Sequence, residues 1–110
     1  MISHPSIQAY AQQVGQQCNA EQVILFGSYV TLTCTEHSDV DLLVLMDFEG
    51  RGFPQVLKIL KALPAPFPTD LLVKRPADAH KSYQEYCPFM RAAFDRGEVL
   101  YERNRSALAA

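Results

Sequence analysis

Residues 26–44 read FGSYVTLTCTEHSDVDLLV, and the order of its parts decides the fold. The apolar, β-branched run Gln22–Phe26 stops at Gly27, which predicts a buried strand that ends in a turn. Residues 28–34 are compatible with a short helix, although they include weak helix formers. A second strand is predicted at Asp39–Met46, which is almost continuously apolar after its acidic entrance. The stretch therefore predicts strand, glycine turn, short helix and strand.

Two carboxylates stand at the entrance of the second predicted strand. Asp39 and Asp41 are two residues apart, so their side chains project from one face, about 6.6 Å apart along the backbone. Carboxylates this close repel one another and are costly to desolvate, and a divalent cation removes both problems. Oxygen ligands of this kind suit Mg²⁺, which commonly binds one or two carboxylates plus substrate phosphates. The pair taken alone also fits two acids that merely flank a strand.

Asp70 repeats this arrangement at a third predicted strand, Thr69–Val73, which follows a proline-rich approach. If the second and third strands are neighbours, Asp70 joins Asp39 and Asp41 at one edge of the sheet. Three convergent carboxylates can hold two metal ions about 3.5–4 Å apart, the arrangement used for in-line phosphoryl displacement. Asp70 can then also accept the proton of an attacking hydroxyl.

Gly27 and Ser28 lie where the first strand hands over to the short helix, ten residues before Asp39. Glycine permits close approach of a phosphate to the backbone, and a helix start offers free N–H groups. The Ser28 hydroxyl can donate to a phosphate oxygen or can simply cap the helix. Gly27 and Ser28 are therefore candidate nucleotide-binding residues.

The remaining pattern alternates helices and strands around a small sheet. It predicts a single domain, 1–110, of α/β (α+β) class with a small mixed β-sheet flanked by helices, but it does not fix the strand order. The further elements are a helix through Ile7 and Val14, a helix through Val56 and Leu63, a helix or irregular segment at Ala77–Tyr86, a helix from Pro88 to Phe94 and an edge strand at Val99–Tyr101.

Charge and cysteine usage narrow the function classes. Residues 1–50 contain six acids and no Lys or Arg, giving −6, whereas the remainder has ten bases against six acids, giving +4. The acidic half repels a nucleic-acid backbone, so direct nucleic-acid binding is not expected. The three cysteines are odd in number and lack a CxxC pair, which favours reduced thiols and a cytoplasmic location. No apolar run is long enough for a membrane span.

The combination Gly-Ser, ten residues, Asp-x-Asp resembles the minimal nucleotidyltransferases of the DNA polymerase beta-like superfamily, and the similarity extends over essentially the whole chain. The resemblance implies that Asp39, Asp41 and Asp70 are catalytic and hold two Mg²⁺ ions, and that Gly27 and Ser28 hold the triphosphate. It also implies transfer of AMP from ATP to a hydroxyl. Small members of the family often act as antitoxins that modify a tyrosine of a helical HEPN partner ribonuclease.

The sequence departs from that family at one place. After Gly-Ser the family usually has x-Ala-Arg-Gly, whereas Thr31 and Leu32 occupy the Arg and Gly positions here. Lys74, Arg75 or an arginine of a partner are the expected replacements for the missing cation, and Leu32 is expected to crowd the backbone. Three functions stay open: an active enzyme, a degenerate relative that neutralises its partner by binding alone, and transfer to a small molecule. The short chain favours a hetero- or homo-oligomer.

Overall fold

A computed structural model of the chain describes residues 1–103, and the end of the predicted 1–110 domain, residues 104–110, lies outside the described residues. All the predicted helices and strands are present, with ends shifted by a few residues, and the segment 77–86, for which the sequence allows a helix or an irregular segment, is mostly helical. The elements are α1 (His4–Gln17), β1 (Gln22–Phe26), α2 (Ser28–Thr31), β2 (Val40–Leu45), α3 (Gly52–Ala62), β3 (Thr69–Lys74), α4 (Pro76–Gln84), α5 (Pro88–Arg96) and β4 (Glu98–Glu102).

The four strands form one mixed sheet in the order β3-β2-β1-β4. Strand β1 is antiparallel to both β2 and β4, whereas β2 and β3 are parallel. Phe26 is paired with Asp41, and Asp41 is paired with Asp70, so the end of β1 lies beside the beginnings of β2 and β3. We call this end of the strands, where Phe26, Asp41 and Asp70 lie in register, the acidic end.

Each face of the sheet carries its own hydrophobic core, because successive side chains of a strand point to opposite faces. One face packs against α1 and α3, and the other packs against α4 and α5. Strand residues on the α1/α3 face include Val23, Leu25, Val40, Leu42 and Val44. Those on the α4/α5 face include Ile24, Phe26, Leu43 and Leu45.

Helix α1 begins where the sequence predicts, since the Ser3 hydroxyl accepts the N–H of Ser6 at 3.4 Å and Pro5 lies in the first turn. Its apolar stripe from Ile7 to Val14 is buried against the sheet. None of the helices within residues 1–103 is both long and apolar enough to cross a bilayer.

Candidate active site

Gly27 forms the turn between β1 and α2 in a backbone conformation that essentially only glycine adopts, with φ 82° and ψ −152°. Space imposes the same requirement, because Asp41 lies directly against this residue. A Cβ added at Gly27 would come within 3.2 Å of Asp41 Cγ and overlap one carboxylate oxygen, Oδ2. Strand β1 and the carboxylate of β2 can meet this closely only because residue 27 has no side chain.

Ser28 is the first residue of α2, directly after this glycine. The carbonyl of Gly27 accepts the N–H groups of Val30 at 3.0 Å and Thr31 at 3.2 Å, which closes the short helix. No side chain of the described residues caps its N-terminus. Ser28 therefore does not act as the helix cap, the alternative that the sequence left open.

The three acidic residues lie on one face of the sheet. Asp41 and Asp70 are direct partners across the parallel strands β2 and β3, which run about 4.8 Å apart. Asp39 immediately precedes β2 and is two residues from Asp41, so alternation places it on the same face. This is the α4/α5 face, because Leu43 is the next residue of the same parity and belongs to that core. The condition that β2 and β3 be neighbours is met.

The arrangement of the three acids disfavours the ionised form of Asp41. It is half-buried, whereas Asp39 and Asp70 are exposed. Burial raises the pKa of the Asp41 carboxyl above its usual value, and the nearby charges of Asp70 and then Asp39 raise it further. The chain thus holds a carboxylate whose ionised form is disfavoured by its own surroundings, and a cation would relieve that.

The donor set suits a hard divalent cation, since it consists of carboxylate oxygens alone. In the part of the chain that the structure describes, however, no group of three or more His, Cys, Asp or Glu side chains is gathered closely enough to hold a metal ion. Asp39, Asp41 and Asp70 share an edge and a face, but their carboxylates do not close around one centre. The two-ion site stays a prediction.

The expected replacement of the missing arginine from within the chain is wrong. Lys74 pairs with Leu45 at the opposite end of β2 and β3 from Asp70, about 13 Å away along the strand. Arg75 is held there by other groups. Its guanidinium donates to the carbonyls of Phe48 and Gly50, and it forms an ion pair with Asp78 at 3.1 Å.

Thr31 and Leu32 differ from their expected effect. Leu32 has left-handed backbone angles, φ 61° and ψ 28°, and its side chain is 86% exposed. It therefore strains the end of α2 and points into solvent rather than crowding the backbone, which corrects the expectation. Thr31 turns back on the same helix, where its hydroxyl donates to the carbonyl of Gly27 at 3.4 Å.

Comparison of the sequence with known protein families identifies one family. The family described as "Polymerase beta, Nucleotidyltransferase" matches residues 7–106, a span that contains every residue of the candidate site. The chain belongs to this family. It is a nucleotidyltransferase domain with the α+β fold of the polymerase beta-like proteins. No curated protein matches the chain significantly.

One functional relation of this nucleotidyltransferase domain was missed from the sequence, namely the contact between Gly27 and Asp41. The pairing register of β1 and β2 would have indicated this contact, because it places Phe26 opposite Asp41 and hence Gly27 beside it. That register depends on how the segment between the strands folds, and apolar patterning does not determine it. The sequence predicts Gly27 as a phosphate-binding residue, and the structure adds that it makes room for the Asp41 carboxylate.

Proposed function

We propose that the chain transfers a nucleoside monophosphate, AMP from ATP, to a hydroxyl group. The observation that carries the proposal is the register that aligns Gly27, Asp41 and Asp70 at the acidic end. A phosphate-binding turn directly against paired carboxylates is an arrangement suited to nucleotidyl transfer, in which a charged triphosphate must be held next to an attacking oxygen.

Each residue has a distinct role in this proposal. Asp39 and Asp41 would hold Mg²⁺, with Asp70 as the third carboxylate, and Gly27 and Ser28 would hold the triphosphate. Bound Mg²⁺ would neutralise phosphate charge and polarise the phosphoryl oxygens. The hydroxyl oxygen of the acceptor forms a bond to the α-phosphorus, the bond from that phosphorus to the bridging oxygen breaks, and pyrophosphate leaves. The hydroxyl proton passes to Asp70.

The acceptor in our proposal is a protein, a tyrosine of a helical HEPN-type toxin, and the transfer makes this chain an antitoxin. The family resemblance and the openness of the site support this choice. Asp39 and Asp70 are exposed, although Phe26, beside them at the acidic end, is buried in the α4/α5 core. A second molecule can therefore cover the acidic end.

A second function, neutralisation of the partner by binding alone, is favoured by one observation. Residues 1–50 contain no Lys or Arg, and Thr31, at the position of the family arginine, bonds to the α2 backbone. A site without a cation holds a triphosphate less tightly, so a chain of this kind can persist as a binding protein.

Replacement of single carboxylates separates the two functions. Asp39→Asn and Asp41→Asn should abolish labelling of the partner by labelled ATP and Mg²⁺ while leaving the circular dichroism spectrum unchanged. Asp47→Asn is the matched control, because Asp47 is an exposed acid just beyond the opposite end of β2. Equal labelling by the wild type and the two site variants would refute transfer. If the two site variants no longer label the partner but still inhibit it fully, binding alone is the function.

A further inference from the structure

Strand β3 forms an outer edge of the sheet, and half of its backbone groups point away from β2. The carbonyl of Pro68 accepts the N–H of Val40 in β2 at 2.9 Å, and the carbonyl of Lys74 accepts that of Met46, the residue after β2, at 3.1 Å. The N–H and C=O of one residue point to the same side of a strand and alternate along it. The groups of Thr69, Leu71 and Val73 therefore face outwards, where they can pair with another strand. Gly52, at the start of α3, lies beside the Val73 carbonyl, and a Cβ there would come within 3.0 Å of its oxygen.

An apolar groove runs along this free edge, between β3 and α3. It has a volume of about 400 Å³ and is lined by Thr69–Val73 together with Gly52, Phe53, Val56, Leu57 and Leu60. Phe53 and Leu57 are one helical turn apart, and their side chains are 71% and 52% exposed. A free strand edge beside an exposed apolar stripe is typical of a surface that another chain covers.

The charges in β3, whose sequence is TDLLVK, indicate which chain covers this edge: a negative residue near one end and a positive residue at the other make the strand complementary to a reversed copy of itself. We propose that a second copy of this protein pairs with β3 in antiparallel orientation, with the two-fold axis passing at Leu72. Asp70 then lies directly opposite the partner's Lys74, and Lys74 lies opposite the partner's Asp70, because the positions are symmetric about Leu72. Two opposite-charge pairs form, which stabilises this pairing.

The hydrogen-bonding pattern fits the same register. Leu71 and the partner's Val73 both direct their backbone groups outwards, so they form a hydrogen-bonded pair. Leu72 and the two charged positions become non-hydrogen-bonded pairs, in which side chains approach more closely. Shifting the axis to Leu71 or Val73 keeps the backbone pairing but places Asp70 opposite a leucine or a proline. Only the axis at Leu72 opposes unlike charges.

The pairing completes the active site in a way that one chain cannot, a consequence that rests on the proposed function. A two-fold axis perpendicular to the sheet leaves the partner's Lys74 on the α4/α5 face, the face that carries Asp39, Asp41 and Asp70. Each acidic end thus gains an ammonium group from the other subunit. The cation that Lys74 cannot supply within its own chain is supplied across the dimer, where it stands beside the triphosphate.

The dimer is tested first without any nucleotide, so this result is independent of the proposed function. Sedimentation equilibrium should give twice the chain mass of 12.3 kDa. Lys74→Glu should weaken dimerisation on the order of a hundredfold, because two attractive pairs become repulsive. The double exchange of Asp70→Lys with Lys74→Asp should restore it. Val99→Glu, on the opposite edge strand β4, should leave the mass unchanged.

A single cysteine reports the register. Leu72→Cys should form an intermolecular disulfide across the axis under mild oxidation, since directly opposed Cβ atoms of this pair type lie close enough. Lys74→Cys should not, because it faces the partner's Asp70. A monomeric wild type would overturn the proposal and leave an extended segment of another protein as the occupant of the edge. Cross-linking through position 74 instead of 72 would refute this register.

Mixing two inactive variants tests the shared site. Lys74→Gln lacks the cation and Asp41→Asn lacks a carboxylate, but in a mixed dimer the Lys74→Gln subunit receives the intact Lys74 of the other. Transfer should therefore rise to about a quarter of the wild-type activity per chain, because random exchange completes one site in four. A dimer whose variants fail to complement would show that the partner's Lys74 does not serve the site.

Discussion

Gly27→Ala should destabilise the protein far more than the same substitution at Gly50. Both glycines have a φ of 82°, but a Cβ at Gly50 would meet no atom within 4 Å, whereas a Cβ at Gly27 would overlap the Asp41 carboxylate. Gly50→Ala therefore measures the cost of positive φ with no clash. Gly27→Ala measures backbone strain and overlap together.

The magnitudes follow from these two terms. Gly50→Ala should cost about 1 kcal/mol of unfolding free energy, the usual penalty for a side chain at positive φ. At Gly27 the backbone strain is about 1–3 kcal/mol. The overlap with Asp41 adds about 1–3 kcal/mol more, as other overpacking substitutions do. The expected total of about 4 kcal/mol is large beside a typical domain stability of about 5–15 kcal/mol.

Urea unfolding followed by circular dichroism measures these differences, since the chain has no tryptophan for fluorescence. Asp41→Ala removes the overlapping oxygen, so it should recover about 1–3 kcal/mol when combined with Gly27→Ala, a coupling that a double-mutant cycle isolates. Equal destabilisation by Gly27→Ala and Gly50→Ala, or a cycle without coupling, would show that the carboxylate does not lie against the glycine.

Three further substitutions test other parts of the structure. Leu32→Gly should raise the free energy of unfolding by about 0.5–1 kcal/mol, because glycine relieves the left-handed strain and little burial is lost; a lower melting temperature would contradict this. Without divalent metal, the wild type should lose stability as pH rises from 3.8, the ordinary pKa of an aspartate, through the raised pKa of Asp41, because the folded state binds that proton more tightly than the unfolded state. Asp41→Asn should lack this loss and should be more stable than the wild type at pH 7, as measured by urea unfolding. Arg75→Gln should lower the free energy of unfolding by about 1–3 kcal/mol, because it loses hydrogen bonds to the carbonyls of Phe48 and Gly50, but it should leave transfer activity intact. Impaired transfer by a well-folded variant would contradict the position of Arg75 away from the site.

The elements of the fold could be predicted because the apolar patterns are local. Gln22–Phe26 and Thr69–Val73 are short, apolar and bounded by glycine or proline, and their length and boundaries are sufficient to assign them as strands. The strand order could not be predicted in this way, because pairing depends on contacts between distant segments. The parallel pairing of β2 with β3, which aligns Asp41 with Asp70, is such a contact.

The site residues could be selected from spacing, but their surroundings could not. The predicted strand Thr69–Val73 already places Asp70 and Lys74 at its two ends, but the sequence does not show that Arg75 donates to the carbonyls of Phe48 and Gly50, because those bonds join separate segments of the chain. The left-handed backbone of Leu32 was also hidden, because leucine rarely adopts it. Side-chain type indicates which chemistry is available, and tertiary geometry decides which groups meet.

The raised pKa of Asp41 has a consequence for calorimetry. Near that pKa the free carboxyl is partly protonated, so a cation that binds there must expel part of a proton into the buffer. The heat of binding then contains the ionisation heat of the buffer. Titrations in two buffers of different ionisation enthalpy would give different apparent heats at a pH near the raised pKa of Asp41 and would converge once Asp41 is fully ionised.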